Sequence, residues 1–321
     1  MSTFRRRQLS SAFPAQPPHS TPGVSPSLGR RSDPLDLIAI APLMGRSDGG
    51  SDVIVGLIDG PVLLDHPDLA NEHIREISAA GGACMSASSS ACQHGTFVAG
   101  ILSAKRGASA PAICPGCTLL VRPIFGENPS GREIMPSAAP EALAVAILDC
   151  LAAGARVINL SLGLAQPSGK EERALEQALD QAMKRGAIVV AAAGNQGMLG
   201  SSAVTRHPWV IPVIAFDLSG RPTSDSNLGG SIGRRGLGAP GDRVTSLGSE
   251  GRPLTLGGTS VATPFVTGAI ALLWSEFPAA SAAQIKLAVG QAAGAGRASV
   301  IPPLMNAEAA LRILSASIGG A

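Results

Sequence analysis

The sequence contains no tyrosine, and aromatic residues make up only 3% of its 321 positions. Nucleic-acid bases would therefore find few rings on which to stack. Charged residues are also scarce, at 15%, and the formal net charge is only +2. This composition argues against nucleic acid and membrane surfaces as partners. It favours a globular protein, because the 45% of hydrophobic residues can form a large core.

Long hydrophobic runs are missing as well. The nearest approach, Ala187 to Ala193, is far shorter than the roughly 18 to 20 apolar residues that span a bilayer. The N-terminal arginines are followed by PAQPPHSTPGVSPSLGRR, which lacks the apolar region of a secretory signal. We therefore expect a cytoplasmic location, with no transmembrane segment.

Composition changes near residue 50. Residues 1–50 are rich in Pro, Ser and Arg and predict a disordered tail, with a targeting peptide as the alternative. Its one apolar island, Leu35 to Met44, is a candidate docking segment. Residues 51–321 predict the folded domain, and no linker divides them.

The five cysteines leave three possibilities open. Each of two pairs, Cys84 with Cys92 and Cys114 with Cys117, could form a local disulfide, all the cysteines could be reduced, or the two pairs together could bind zinc. The second pair, Cys114 and Cys117, follows the first too closely for a typical zinc ribbon, and no helical His pair supports a zinc site.

Apolar patterns indicate alternating strands and helices. SDVIVGLIDG, ARVINLSLG and AIVVAAAGN are typical of buried parallel strands. Two helical segments precede the second and third of these, and Gly154 and Gly186 end them. The sequence therefore predicts an α/β fold with a mainly parallel sheet and helices on both faces. Ligands in such folds bind at the carboxyl ends of the strands.

Four polar residues follow strands or lie near predicted helix starts. Asp59 ends a strand, His94 is placed in the first turn of a helix, Asn195 follows a strand, and Ser260 stands at a helix entry. Taken singly, each has a structural alternative, such as a turn, a cap or an Asx-turn. A serine hydroxyl becomes a good nucleophile only beside a base, so the combination indicates nucleophilic catalysis in the chain order Asp, His, Ser.

The motifs DGPV, HGTFVAG, SLG, AAGN and GTSVATP resemble, in this order, those of the subtilase superfamily, over about residues 52 to 314. The resemblance implies a three-layer subtilisin-like fold and a serine endopeptidase that cleaves peptide bonds through an acyl-enzyme. It also implies site roles: nucleophile Ser260, general base His94, orienting carboxylate Asp59, oxyanion-hole donor Asn195, and substrate-pairing residues Ser161, Leu162 and Gly163.

Some motifs depart from the common family pattern. Gly60 and Pro61 follow Asp59 directly, where most subtilases have a hydroxyl residue and then glycine. DGPV, together with HPDL, CQHGT and CPGC, is similar to the subtilases of cyanobactin maturation, which remove leader peptides or macrocyclise peptides. We therefore expect a processing protease, with a peptide macrocyclase or a peptide-binding pseudoprotease as alternatives. Because the 58 residues before Asp59 have little core-forming pattern, no folded inhibitory pro-domain is expected.

No cofactor is expected for this chemistry, and the partner would be a peptide or protein substrate. Calcium is common in the family, and Asp65, Asp68 and Glu72 cluster near HPDL. These carboxylates are equally typical of a solvated surface, so we predict no metal ligands.

Overall fold

A seven-stranded parallel sheet organises the part of the chain that the structure describes. The computed structural model describes residues 33–69, 73–77, 84–125, 139–162, 172–294 and 299–318. The strand order is β2-β3-β1-β4-β5-β6-β7, and β8 and β9 form a separate antiparallel pair. The strands are β1 (Ile54–Asp59), β2 (Ile74–Glu76), β3 (Thr118–Pro123), β4 (Val157–Leu160), β5 (Ile188–Ala192), β6 (Ile211–Phe216), β7 (Leu237–Pro240), β8 (Val244–Ser246) and β9 (Leu254–Leu256).

Helices occupy both faces of this sheet. The helices are α1 (Pro34–Leu37), α2 (Ala41–Met44), α3 (Ser90–Ser103), α4 (Pro140–Ala152), α5 (Arg173–Lys184), α6 (Ala203–Arg206), α7 (Gly230–Arg235), α8 (Thr259–Glu276), α9 (Ala282–Ala292) and α10 (Ala307–Ile318). None of these helices is both long enough and apolar enough to cross a membrane.

Each central strand contributes side chains to two hydrophobic cores, because successive residues of a strand point to opposite faces. Val55 and Leu57 of β1 lie in the core formed with α3 and α8. Ile58 points to the opposite face of the sheet and lies in the core that the sheet forms with α4 and α5. The predicted α/β class, with a mainly parallel sheet covered on both faces, is therefore confirmed.

The two predicted helix ends also agree with the structure. Gly154 follows α4 with a φ of 87°, and Gly186 follows α5 with a φ of 67°. Both angles lie in the left-handed region that glycine adopts without steric cost. These turns end the helices and direct the chain into β4 and β5.

Residues 33–50 pack against the domain core. Ile38, Ile40 and Leu43 are fully buried and belong to the same core as α8 and α10. The backbone of Ile38 accepts a 2.9 Å hydrogen bond from Ala307 N–H. The packed unit thus begins before the composition change near residue 50, because apolar side chains of the island from Leu35 to Met44 are buried in this core.

Candidate active site

The carboxyl edge of the sheet collects the polar residues singled out in the sequence. Asp59 is the last residue of β1, Ser161 follows β4, and Asn195 lies shortly after β5. These three strands are neighbours in the sheet. Helices α3 and α8 supply His94 and Ser260 to the same edge.

Three of these side chains form a continuous hydrogen-bonded row. His94 Nδ1 lies 2.7 Å from Asp59 Oδ1, and His94 Nε2 lies 3.0 Å from Ser260 Oγ. With a carboxylate as its partner, Nδ1 carries the proton. Nε2 is then the free base that faces the serine hydroxyl. This is the geometry in which a serine becomes a nucleophile.

Asp59 is held by an unusually sparse set of partners. Its side chain is 1% exposed, and Oδ1 accepts from both His94 and the Gly60 N–H, the latter at 2.6 Å. The other oxygen, Oδ2, is buried and has no hydrogen-bond partner among the described residues. A hydroxyl residue cannot fill this gap from position 60, because a Cβ there would collide with the carbonyl oxygen of Ala91 in α3. The absent hydroxyl is thus linked to close packing between the Asp59 turn and α3.

The same close packing continues beside His94. A Cβ at Gly95 would lie 2.5 Å from the Gly60 carbonyl oxygen and closer still to that of Pro61. Gly60 and Gly95 therefore let the turn after β1 and the helix α3 touch through their backbones. This contact fixes the separation between Asp59 and His94.

The environment of His94 makes the imidazole a stronger base than usual. Burial lowers its pKa, but the charge of Asp59 and the hydrogen bond to it outweigh burial and raise the pKa above its ordinary value of 6.5. The sequence placed His94 in a first helical turn, where the helix dipole would lower its pKa. In the structure α3 begins at Ser90, after the cap Ser89, so His94 lies one turn further from the helix N-terminus.

Ser260 is the second residue of α8, and its backbone is held from outside the helix. Pro264 lies within α8 and has no N–H to donate to the carbonyl four residues earlier, which is that of Ser260. The Ser161 hydroxyl donates to this carbonyl instead, at 2.9 Å. The helix therefore starts at Thr259 in spite of Pro264, and Ser161, directly after β4, supplies the missing bond.

A buried polar network supports the Ser161 hydroxyl and was not predicted from the sequence. Asn159 Nδ2 donates to Ser161 Oγ at 2.7 Å, and Thr267 Oγ1 donates to Asn159 Oδ1 at 2.8 Å. All three side chains are buried. The available signal was a polar residue inside the apolar strand VINL and another inside the apolar helix. The network connects β4 to α8 and orients the hydroxyl that supports Ser260.

The Asn195 carboxamide is oriented by Thr259. Asn195 Oδ1 accepts from the Thr259 N–H at 2.8 Å and from the Thr259 hydroxyl at 2.9 Å. These bonds assign the oxygen, so Nδ2 is the donor directed away from Thr259. Gly258 packs against this amide with a φ of 121°, a backbone conformation suited to glycine. The amide nitrogen therefore lies beside Gly258, the residue that precedes α8.

The predicted substrate-pairing residues are only partly described. Ser161 and Leu162 are buried at the end of β4, whereas Gly163 lies outside the described residues. A polar cavity of about 600 Å³ borders Asn195 and Gly258. Asp59, His94 and Ser260 are not among the described residues that line this cavity.

The cysteines resolve into one disulfide and three free thiols. Cys84 and Cys92 are joined, with their Cα atoms 5.5 Å apart. Cys114, Cys117 and Cys150 are free and buried, and burial raises the pKa of Cys150 to about 12. The disulfide ties the loop before α3 to the first turn of that helix.

Metal ligands do not assemble in the described part of the chain. No group of three or more His, Cys, Asp or Glu residues there could hold a metal ion. Of the acidic cluster near HPDL, Asp65 and Asp68 are described, while Glu72 lies outside the described residues.

Comparison with known proteins agrees with this geometry. The model of the subtilase family matches residues 50–311. Subtilisin DY from Bacillus licheniformis is 33% identical over 261 residues, which cover 78% of this chain and 87% of that relative. The chain spans less of some other curated relatives, such as 63% of the thermostable alkaline protease of Halalkalibacterium halodurans.

Solved structures give the same result. A mutant of the protease domain of PatA has a TM-score of 0.78 and 29% identity, covering 85% of this chain and 99% of that one. The prenylagaramide maturation protease PagA has a TM-score of 0.75 and 26% identity, covering 86% of this chain and 98% of that one. Since the family model covers most of the chain and the motifs meet in one site, the chain belongs to the subtilase family of subtilisin-like serine endopeptidases.

Proposed function

We propose that Ser260 is the nucleophile of peptide-bond cleavage, with His94 as the general base and Asp59 as the orienting carboxylate. The observation that carries this proposal is the His94 imidazole, which lies within hydrogen-bond distance of both other side chains. His94 Nε2 takes the hydroxyl proton as Ser260 Oγ attacks the scissile carbonyl. Asp59 keeps the imidazole in the required tautomer and stabilises its positive charge.

Asn195 is proposed to stabilise the oxyanion of the tetrahedral intermediate. Its Nδ2 donates from one side, together with the backbone N–H of Ser260 at the start of α8. Collapse of the intermediate transfers the proton from His94 to the leaving amine and leaves an acyl-enzyme on Ser260. Water, activated by the same imidazole, then releases the acid product.

The test of these roles is active-site labelling. A fluorophosphonate probe should label the protein and block cleavage of a fluorogenic peptide, and Ser260→Ala should abolish both. Ser219→Ala, which alters an exposed serine in the turn after β6, is the matched control and should behave as wild type. Substantial peptide cleavage by a folded Ser260→Ala variant would contradict the assignment.

We also propose that the enzyme processes precursor peptides rather than degrading proteins broadly. Two structures with at least 26% identity support this, the protease domain of PatA and the maturation protease PagA. The motifs DGPV, HPDL and CPGC point in the same direction. A maturation protease is expected to recognise a narrow set of sites.

Cleavage specificity tests this second proposal. The protein is incubated with denatured casein and with a mixture of defined peptides, and mass spectrometry maps the new termini. Cleavage confined to one short consensus supports processing, whereas cleavage at many unrelated sites contradicts it. Products with a free amino terminus and a free carboxylate indicate hydrolysis. Cyclic products would show that an amine, rather than water, attacks the acyl-enzyme.

A further inference from the structure

A second cavity lies at the opposite edge of the sheet from Ser260. It has a volume of about 600 Å³ and is bordered by α7, α9 and the starts of β6 and β7. Ile211 and Leu237, the first residues of those two strands, line it. The residues with proposed catalytic roles lie at the carboxyl edge of the sheet, and none of them lines this cavity.

Most of the cavity wall is apolar and fixed in position. The Trp209 indole donates from Nε1 to the Ala187 carbonyl at 2.7 Å, which holds the ring in place. Ile211, Leu237 and Val289 add aliphatic surface. Leu287 is 58% exposed although it lines the cavity. The volume and lining are typical of sites for small organic molecules.

Two cations are anchored in this apolar wall. Lys286 Nζ donates to the carbonyls of Pro208 and Trp209, at 2.9 and 2.6 Å, and lies 4.5 Å from the centre of the Trp209 ring. Arg235 Nη2 donates to the carbonyls of Thr205 and Arg206. The hydrogen bonds therefore fix both side chains through neutral groups.

Neither cation has an anionic partner among the described residues. Lys286 and Arg235 form no ion pair there, no carboxylate is among the described residues that line the cavity, and the buried Nε of Arg235 has no hydrogen-bond partner. The positive charge of Arg235 and burial together lower the pKa of Lys286 to about 8, burial being the larger cause. Partly buried charges without counter-ions are unfavourable, and an external anion would relieve the cost.

We propose that this cavity binds a small apolar carboxylate, with its anionic head against Arg235 and Lys286 and its apolar body against Trp209, Ile211 and Leu237. The guanidinium of Arg235 and the ammonium of Lys286 supply the positive charge that attracts the head. Neutral apolar molecules would leave both charges uncompensated, and small hydrophilic anions would leave the apolar wall in water.

Isothermal titration calorimetry with decanoate, below its micelle concentration, tests the proposal. Decanoate should bind and raise the melting temperature, whereas decanol and acetate at the same concentrations should do neither. Loss of a charge-assisted contact is expected to weaken binding about tenfold or more. Arg235→Gln should show this loss, and Lys184→Gln, at an exposed lysine of α5, should not.

Substitution of Leu287 provides a second measurement that does not disturb the anchored cations. Leu287→Glu places a negative charge at the exposed rim and should weaken decanoate binding, while Leu287→Lys should not. Peptidase activity should be unchanged in both variants, which shows that they are folded and that this result is independent of the roles proposed for Ser260.

Three results would overturn the proposal. The first is that decanol binds as tightly as decanoate. The second is that decanoate binds the Arg235→Gln and Leu287→Glu variants as tightly as it binds the wild type. The third concerns a peptide ligand. Tighter binding of a peptide with an apolar C-terminal residue and a free carboxylate, sensitive to the same substitutions, would assign the cavity to a chain end instead of a small molecule.

Discussion

Asp59, His94 and Ser260 form the proposed catalytic triad. Replacing Gly95 by alanine should change the distances within this triad while all three of its residues remain present. The new Cβ would lie 2.5 Å from the Gly60 carbonyl oxygen, whereas ordinary contact begins at 3.4 Å. Helix α3 and the Asp59 turn must therefore move apart by about 1 Å, and a misplacement of this size can cost about 100-fold in rate. The hydrogen bond between Asp59 and His94, now 2.7 Å, would lengthen beyond hydrogen-bond distance.

The expected loss in kcat is about 100-fold, equivalent to about 2.7 kcal/mol of transition-state stabilisation. Overpacking should also lower the stability by about 1 to 3 kcal/mol. Steady-state kinetics with a fluorogenic peptide and a thermal melt measure the two effects. Gly230→Ala is the matched control, because a Cβ at that exposed position meets nothing within 4 Å.

The pH profile of the Gly95→Ala variant adds a readout that general destabilisation would not change. Burial lowers the pKa of His94 and Asp59 raises it, so a weaker contact with Asp59 should shift the ascending limb of kcat/KM to lower pH. A folded variant with wild-type kcat/KM and an unshifted limb would refute the claim that this backbone contact fixes the triad.

Four further predictions follow from the structure. In the wild type, kcat/KM should rise with pH through an ionisation above 6.5, because protonated His94 cannot accept the Ser260 proton; a flat profile between pH 5 and 9 would contradict this. Asn195→Ala should lower kcat by roughly 100- to 1000-fold with little change in KM, which is the range known for subtilisin when it loses such a donor. An unchanged kcat would show that Asn195 is not an oxyanion-hole donor. Ser161→Ala leaves the Ser260 carbonyl without its donor and should cost about 1 to 3 kcal/mol of stability in a denaturant titration, whereas a neutral result would show that the bond contributes nothing. Decanoate binding should weaken as pH rises through about 8, because Lys286 then loses its charge; the other charged groups among the described residues that line the cavity are Arg234 and Arg235. Calorimetry on either side of pH 8 measures this, and equal affinities would exclude a contribution from Lys286.

Much of the fold and the residues of the site could be predicted from local patterns. The continuous apolar strands and the glycine helix ends identified the sheet, since both features depend on short stretches of sequence. Asp59, His94, Asn195 and Ser260 stood out because each is a polar residue within or directly after an apolar or small-residue segment. The structure brings all four to one edge of the sheet.

Features that depend on contacts between distant segments were not predicted. The bond from Ser161 to the Ser260 carbonyl combines a missing N–H at Pro264 with the position of β4, and no local pattern contains both. The start of α3 was predicted too late for a different, local reason: the cap Ser89 is one of several consecutive serines, and any of them could cap a helix. Burial of Ile38 and Leu43 depends on surfaces of α8 and α10, far away in the sequence.

The carbonyl bond between Ser161 and Ser260 also bears on how often the nucleophile leaves its place. The first turn of a helix usually opens and closes more readily than its middle, since few tertiary contacts restrain it. In α8 this turn can open only if the Ser161 hydroxyl releases the Ser260 carbonyl as well, and Ser161 directly follows β4, an interior strand of the sheet. Hydrogen exchange at the amides of Val261 and Ala262 should therefore be as slow as exchange in β4 itself, which would show that Ser260 is held in one position.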